Sequence, residues 1–403
     1  MNATMNLPQA GGAWRASWLV IMLFAFEACI TTSEVGLYPP EEKAGAPALP
    51  PDPGGGAASA DGGLPVGKKE PPRLAPVRTR IAAGATSTCA IDSKGGAFCW
   101  GDKERGQRGA GDRQNIDASR EYYVWGLDRD VDAIFGGGDA HCARKRNGEV
   151  LCWGDTVYEE STDGILRHSI EDTPRPIEGL SDIATVALGQ YFECALTTSR
   201  QTKCFGLDDD EVPEMGDEGE SLAAGQSGHF ACAVTTAGAL KCWGDNGRGQ
   251  PENDTSHPAP RPTPVMGLET KVTGVAVGSE HACAIVSGGV QCWGRNDDGQ
   301  AGAIDSDEFL TPRRVPQLTN IVALAAGERH TCALSRAGAV HCWGNYKADG
   351  VRSPVELVIP SGAVELVAGS RHTCALRSNG LLQCWGSNDH GQLGIYGGDG
   401  ASL

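Results

Sequence analysis

The sequence predicts an all-β fold, a seven-bladed β-propeller with one hairpin disulfide in each blade. Three observations carry this reading. Fourteen of the fifteen cysteines fall into seven pairs: Cys89/Cys99, Cys142/Cys152, Cys194/Cys204, Cys232/Cys242, Cys283/Cys292, Cys332/Cys342 and Cys374/Cys384. Six pairs are ten residues apart and one is nine apart, so one structural device is used seven times. The segments around them are rich in β-branched residues and alternate in polarity, with no helical period. Successive first cysteines lie 53, 52, 38, 51, 49 and 42 residues apart, a spacing that admits propellers, solenoids or arrays.

Each pair reads as a staple across an antiparallel hairpin. With Cys89 opposite Cys99, Asp92 faces Gly96 and the loop is Ser93-Lys94-Gly95. Three-residue hairpin loops end on a left-handed residue, which glycine adopts cheaply. That position is Gly95, Gly148, Gly238, Gly338 and Gly380 in five of the six ten-spaced pairs, with Arg200 as the exception. In the nine-spaced pair Val286 faces Gly289 and the loop shrinks to Ser287-Gly288, which keeps the cysteine register. Zinc would need four ligands and closer cysteine spacing. Disulfides are the favoured reading, at about 2–3 kcal/mol each by chain entropy.

Residues 1–28 read as a targeting segment. Arg15 precedes an apolar run, Trp18 to Phe26, too short to span a bilayer but suited to a signal-peptide core. Phe26-Glu27-Ala28-Cys29 resembles a bacterial lipoprotein cleavage box, although Phe26 and Glu27 depart from its usual residues. The resemblance implies a lipidated Cys29, and setting Cys29 aside leaves an even set of cysteines; an uncleaved anchor with a free thiol is the alternative. Residues 29–72 are rich in Pro, Gly and Ala and are expected to form a disordered tether. The repeats occupy 73–403.

Composition sets limits on partners. The net charge of −17 argues against a nucleic-acid footprint, which needs a basic stripe. The 56 glycines are about twice the usual share of roughly 7%, in keeping with many tight turns.

The repeat residues carry a resemblance. Gly327-Glu328-Arg329-His330-Thr331-Cys332-Ala333-Leu334, then Val340-His341-Cys342-Trp343-Gly344, then elements such as Asn296-Asp297-Asp298-Gly299-Gln300-Ala301-Gly302 and Asn388 to Gly394 resemble the regulator of chromosome condensation repeat. The likeness covers 73–403 and implies a seven-bladed propeller. It also implies closure by an N-terminal strand: the Pro76-Val77 to Gly84 segment would complete the last blade, which lacks its own final strand. The second, third and sixth repeats lack a clean Gly-Gln-x-Gly element, and Phe205 replaces the tryptophan of the third.

Candidate sites follow. His281, His330 and His372 share one repeat position, with His141 and His229 nearby; a metal or proton switch is one reading, but hydrogen-bonded blade residues are favoured. Trp100, Trp153, Trp243, Trp293, Trp343 and Trp385 read as inter-blade packing rather than a sugar-binding ladder. The acidic run Asp208-Asp209-Asp210-Glu211, with Glu214, Asp217, Glu218 and Glu220, lacks calcium-loop spacing. Tyr122, Tyr123 and Trp125 lie in a long loop and are the candidate partner anchors, with an extra strand over the blade as the alternative. No nucleophile elbow, phosphate loop, zinc-protease motif or dinucleotide fingerprint appears, so no catalysis, cofactor or metal is expected. The expected function is an exported, envelope-tethered binding module, outer-membrane-anchored or extracellular, that holds a protein or less readily a glycan. Membrane contact is expected only through the lipid. A nucleotide-exchange regulator of a small GTPase, by family resemblance, and a glycan-processing enzyme are the alternatives.

Overall fold

In a computed structural model, the structure describes residues 78–111, 122–157, 168–176, 182–190, 192–206, 218–226, 230–249, 259–303, 305–346, 351–359 and 361–394. The leader, Cys29, the tether and the run Asp208–Asp217 lie outside them. The described chain forms seven antiparallel sheets around one axis.

The first blade is β1 (Ile81–Ala83), β2 (Ser87–Ile91), β3 (Ala97–Gly101) and β4 (Tyr122–Tyr123). The second is β5 (Val131–Gly137), β6 (Ala140–Lys145), β7 (Val150–Val157) and β8 (His168–Pro176). The third has three described strands, β9 (Ile183–Leu188), β10 (Phe192–Thr197) and β11 (Thr202–Gly206). The fourth is β12 (Gly219–Ala224), β13 (Phe230–Thr235), β14 (Leu240–Gly244) and β15 (Ala259–Pro264). The fifth is β16 (Val272–Val277), β17 (His281–Val286), β18 (Gly289–Arg295) and β19 (Glu308–Val315). The sixth is β20 (Ile321–Ala326), β21 (His330–Ser335), β22 (Val340–Gly344) and β23 (Val351–Leu357). The seventh has three described strands, β24 (Ala363–Ala368), β25 (His372–Arg377) and β26 (Leu382–Gly386).

Every blade carries its disulfide. The bonds are Cys89–Cys99, Cys142–Cys152, Cys194–Cys204 and Cys232–Cys242 in the first four blades. Cys283–Cys292, Cys332–Cys342 and Cys374–Cys384 follow in the last three. Each joins residues directly opposed in the second and third strands. Their Cα atoms lie 4.0–4.1 Å apart, the separation of a non-hydrogen-bonded antiparallel pair. These sulfurs are structural. On the third strands Cys99, Cys152, Cys242, Cys292, Cys342 and Cys384 are buried, and Cys204 is partly buried against the fourth blade's Ala231, Ala233 and Trp243. The second-strand cysteines are buried as well, so the staples also fill the core.

The hairpin turns also follow the sequence. Gly95 has φ +84° and Gly338 +85°, while Arg200 takes the same conformation at +71°. In the shortened hairpin Ser287 and Gly288 both have positive φ, as a two-residue primed turn requires.

This strand order gives the propeller two unlike faces. Loops joining first to second and third to fourth strands form the upper face. Hairpins joining second to third strands, and the connections between blades, form the lower face.

Of the N-terminal segment expected to close the ring, the described part lies in the first blade. Ile81–Ala83 does not complete the last blade; it pairs with β2 as the innermost strand of the first, with Ala82 opposite Cys89. Residues 73–77 lie outside the described residues. The first and last blades meet by packing and side-chain bonds. Ile81, Phe98 and Trp100 share one buried cluster with Leu376, Leu382, Cys384 and Leu393. The Arg80 amide donates to Glu365 Oε2 at 3.0 Å, and the two side chains form an ion pair.

Candidate functional site

The histidines and tryptophans resolve into one inter-blade joint. His281 Nε2 lies 2.8 Å from Thr331 Oγ1 of the next blade, His330 Nε2 2.7 Å from Thr373, and His372 Nε2 2.9 Å from Thr88. Thr331 and Thr88 donate their single hydroxyl proton to the carbonyls of Gln300 and Gln392. His281 and His372 must therefore donate from Nε2–H. The same carbonyls accept the indole N–H groups of Trp343 and Trp100 at 2.8 and 2.9 Å, and Gln107 accepts that of Trp153. The Gly-Gln-x-Gly element is thus a wedge whose glutamine carbonyl ties down the next blade. Between the first and second blades the partners exchange places: Ser87 occupies the histidine position and His141 the threonine position, 2.8 Å apart.

Burial holds these imidazoles neutral, His141 and His330 at about 4 and His281 and His372 at about 3. The glycine three residues before each histidine has a steric cause. A Cβ on Gly327 would lie against the His330 ring and 2.6 Å from the carbonyl oxygen of Gly369 in the next blade. Among the described residues no group of three or more His, Cys, Asp or Glu could hold a metal. His229 and the Phe205 side chain lie outside the described residues.

The candidate anchors occupy the edge of the first blade. Tyr122 and Tyr123 form its outer strand, opposite Cys99 and Phe98, as the extra-strand alternative has it. The Tyr122 ring is half-buried with the Arg108 guanidinium 4.8 Å from its centroid. Tyr123 is 57% exposed and its hydroxyl donates to Asp92 Oδ2 at 2.9 Å. That hydrogen bond, with burial and the Asp92 charge, raises the Tyr123 pKa. Asp92 also accepts the Lys94 and Gly96 amides through Oδ1, both at 2.8 Å, so the hairpin tip fixes the tyrosine.

Trp125 sits at the corner of a β-turn. The Leu127 amide donates to the Val124 carbonyl at 3.0 Å, and Gly126 has φ +71°. Val124 and Leu127 are buried, so the turn is pinned from both sides while Trp125 remains 70% exposed. Most other tryptophans described are fully buried. A pinned, exposed aromatic beside a positioned tyrosine has the make-up of an interface anchor.

A second surface has no counterpart in the sequence expectations. At the upper mouth a cleft of about 430 Å³ is lined by Thr86, Asp102, Arg105, Asp139, Glu328 and Arg371 among others. Arg105 pairs with both Asp139, at 3.5 Å, and Asp155. Burial raises the Asp139 pKa against the lowering effect of Arg105. The available signal was the Asp after Trp-Gly in three repeats, Asp102, Asp155 and Asp245. Below this mouth the channel narrows to a cavity of about 250 Å³ between inner strands. Gln226 reaches across it and donates to the carbonyls of Ala83, at 3.2 Å, and Ala368, at 2.7 Å.

The regulator of chromosome condensation (RCC1) repeat matches residues 79–107, 221–250, 272–300 and 363–392, and a second description of that repeat matches 238–285 and 287–334. These stretches fall on the first blade and the fourth to seventh. Five of the seven blades thus carry regulator of chromosome condensation repeats. Prp20p of Saccharomyces cerevisiae, whose crystal structure is described with its binding to Gsp1p and histones, is 18% identical with a TM-score of 0.62; the likeness covers 73% of this chain and 81% of that one. The ectodomain of the Physcomitrella patens receptor kinase CR4 is 21% identical with a TM-score of 0.50, over 77% and 74%. At these identities the likeness is one of fold. The human E3 ubiquitin-protein ligase HERC2 is 33% identical over 140 residues, 32% of this chain and 3% of HERC2. The chain therefore spans only a small part of that relative's length.

Proposed function

We propose that this RCC1-repeat propeller is an envelope-tethered, non-enzymatic binding module that holds a protein partner, with Tyr123 and Trp125 as anchors and Tyr122 beneath them. The observation that carries the reading is the exposure of Trp125 on a turn whose flanking residues are buried. A turn held this firmly loses little backbone entropy on binding, and large aromatics dominate interface energies. The binding of Gsp1p and histones by Prp20p supports a protein rather than a glycan as the partner class. The tethered part rests on the sequence before residue 73 and on cysteine parity: all fourteen cysteines from Cys89 onward are in disulfides, which leaves Cys29 outside the set.

The test is capture from envelope extracts on the immobilised chain and on a Tyr123→Ala/Trp125→Ala variant of unchanged melting temperature. A protein retained by the first and lost from the second supports the reading. Retention by both places the interface elsewhere, and a captured GTPase or glycan would shift the function to one of the alternatives.

A further inference from the structure

The cleft at the upper mouth holds more negative charge than its bases balance. Asp102, Glu104, Asp139 and Glu328 line it, against Arg105 and Arg371. Both guanidiniums are already shared, Arg105 with Asp155 and Arg371 with Asp389 at 3.8 Å. Glu328 pairs with Arg329 at 3.5 Å, but that guanidinium also serves Asp298. Adding Lys103 of the same loop and His390, 3.7 Å from Asp102, still leaves the acids in excess. Three of the carboxylates sit deep: the side chains of Asp102, Asp139 and Asp155 are 16%, 17% and 11% exposed. Burial is the largest influence on Asp139, whose pKa it raises against the Arg105 pairing, and Asp155 and Asp102 push the same way. Partly buried negative charge of this kind favours a cation.

The spacing selects the kind of cation. A metal ion needs its oxygens within one coordination shell, and among the described residues no group of three or more His, Cys, Asp or Glu could hold one. An extended organic cation can meet the same carboxylates one by one. The rim is also fixed in advance. The Glu328 amide donates to the Ser370 carbonyl at 2.8 Å, that of Ser370 to Ala85 at 3.2 Å, and that of Ala85 to Gly138 at 2.5 Å. Backbone bonds thus run from the sixth blade through the seventh and first to the second.

The floor gives a second, independent sign. Gln226, 8% exposed, spends both amide protons on the carbonyls of Ala83 and Ala368, two residues short of Ala85 and Ser370 in the cleft lining. Its Oε1 is turned away from those carbonyls and is buried with no donor among the described residues. A buried acceptor left so is stabilised when a donor reaches it. Around Gln226 the channel is walled by short apolar side chains such as Ala83, Val277 and Ala326, a lining that suits methylene groups.

We propose that the upper mouth binds a free linear aliphatic polyamine. Its ammonium groups meet Asp102, Asp139 and Glu328 at the rim and donate to Gln226 Oε1 at the floor, with the alkyl chain between them. The cleft, at about 430 Å³, is of ligand-binding size. Neither Tyr123 nor Trp125 lines it, so the site is independent of the proposed partner anchor.

Titration calorimetry of the full chain with spermidine at fixed ionic strength tests it. One saturable site is expected, at least tenfold weaker in Asp139→Asn and at least threefold weaker in Gln226→Leu, at matched melting temperature. Glu328→Gln, at the more exposed part of the rim, should also weaken it at least threefold and serves if Gln226→Leu loosens the ring. Magnesium at the same ionic strength should not displace spermidine, and the Tyr123→Ala/Trp125→Ala variant should bind it unchanged. N-acetyl-lysine amide, with one ammonium, should bind at least tenfold more weakly. No saturable heat, displacement by magnesium, or undiminished affinity in folded Asp139→Asn and Glu328→Gln would overturn the proposal. So would a lysine derivative as strong as spermidine, which would give the site to a partner's side chain.

Discussion

The joint between the sixth and seventh blades allows the inter-blade mechanism to be tested by exchange. His330 and Thr373 face each other at 2.7 Å, with His330 1% exposed and Thr373 fully buried. Thr373→Ala leaves His330 Nε2 buried without this partner, and His330→Phe strands the threonine hydroxyl. Each change should cost about 1–3 kcal/mol. The double variant recreates a pair the chain already uses: Phe230 and Ala282 occupy the same positions in the fourth and fifth blades, opposite Gly244 and Trp293. It should recover most of the loss at neutral pH, a coupling of about 2 kcal/mol or more. For a domain of this size that corresponds to melting differences of about 1–2 °C per kcal/mol.

The pair also has a pH signature. Burial depresses the His330 pKa from 6.5 to about 4, so its contribution is complete above 6.5 and is lost as pH falls toward 4. Between pH 7.5 and 5 the loss is about 2 kcal/mol for each such imidazole, and four are buried this way. Asp139 and Glu365, with raised pKa values, act in the opposite direction. Thermal melts of the wild type, both single variants and the double variant at pH 7.5 and 5.0 measure coupling and slope together. Additive losses, or an unchanged pH slope in the double variant, would refute the reasoning.

Other outcomes follow from the same geometry. Trp343→Phe removes an indole N–H bonded to Gln300, whereas buried Trp385 Nε1 has no acceptor among the described residues; chemical denaturation should show Trp343→Phe costing about 1 kcal/mol more than Trp385→Phe. Gly327→Ala forces a methyl against the His330 ring and the neighbouring blade's carbonyl, so folded yield should fall sharply while Gly148→Ala, in open space at φ +88°, loses only about 1 kcal/mol. Deleting residues 78–84 removes β1 and the Arg80–Glu365 link and should abolish folding, in contrast to trimming 30–60; circular dichroism would show it. Intact mass after alkylation without reduction should show at most one alkylated thiol, since the other fourteen cysteines are paired.

The sequence revealed what depends on neighbours within one hairpin. Cysteine spacing set the strand register, from Cys142 opposite Cys152 to Cys374 opposite Cys384. The loop glycines set the turn type, down to the shortened Ser287-Gly288 turn that still brings Cys292 to Cys283. What crosses between blades was hidden. That His141 answers Ser87 with reversed positions follows only once the first and second blades are side by side. The wedge role of Gln300 and Gln392 is carried by backbone carbonyls, which side-chain identity does not announce. The absence of Gly-Gln-x-Gly from the third and sixth repeats was visible, yet its consequence, a buried indole N–H with no acceptor among the described residues in Trp243 and Trp385 of the following blades, needed the ring. Ile81–Ala83 suits either blade as an isolated strand, and its pairing with β2 assigns it to the first. At the candidate site the aromatics were legible, but the Asp92 contact and the turn that exposes Trp125 were not.

The most direct measurement is the affinity of the captured envelope protein for the native chain and for Trp125→Ala, by calorimetry at matched fold stability. The expected result is at least a thirtyfold loss, the effect of removing an interface hot spot of about 2 kcal/mol. An unchanged dissociation constant would contradict the anchor role and move the interface away from the first blade.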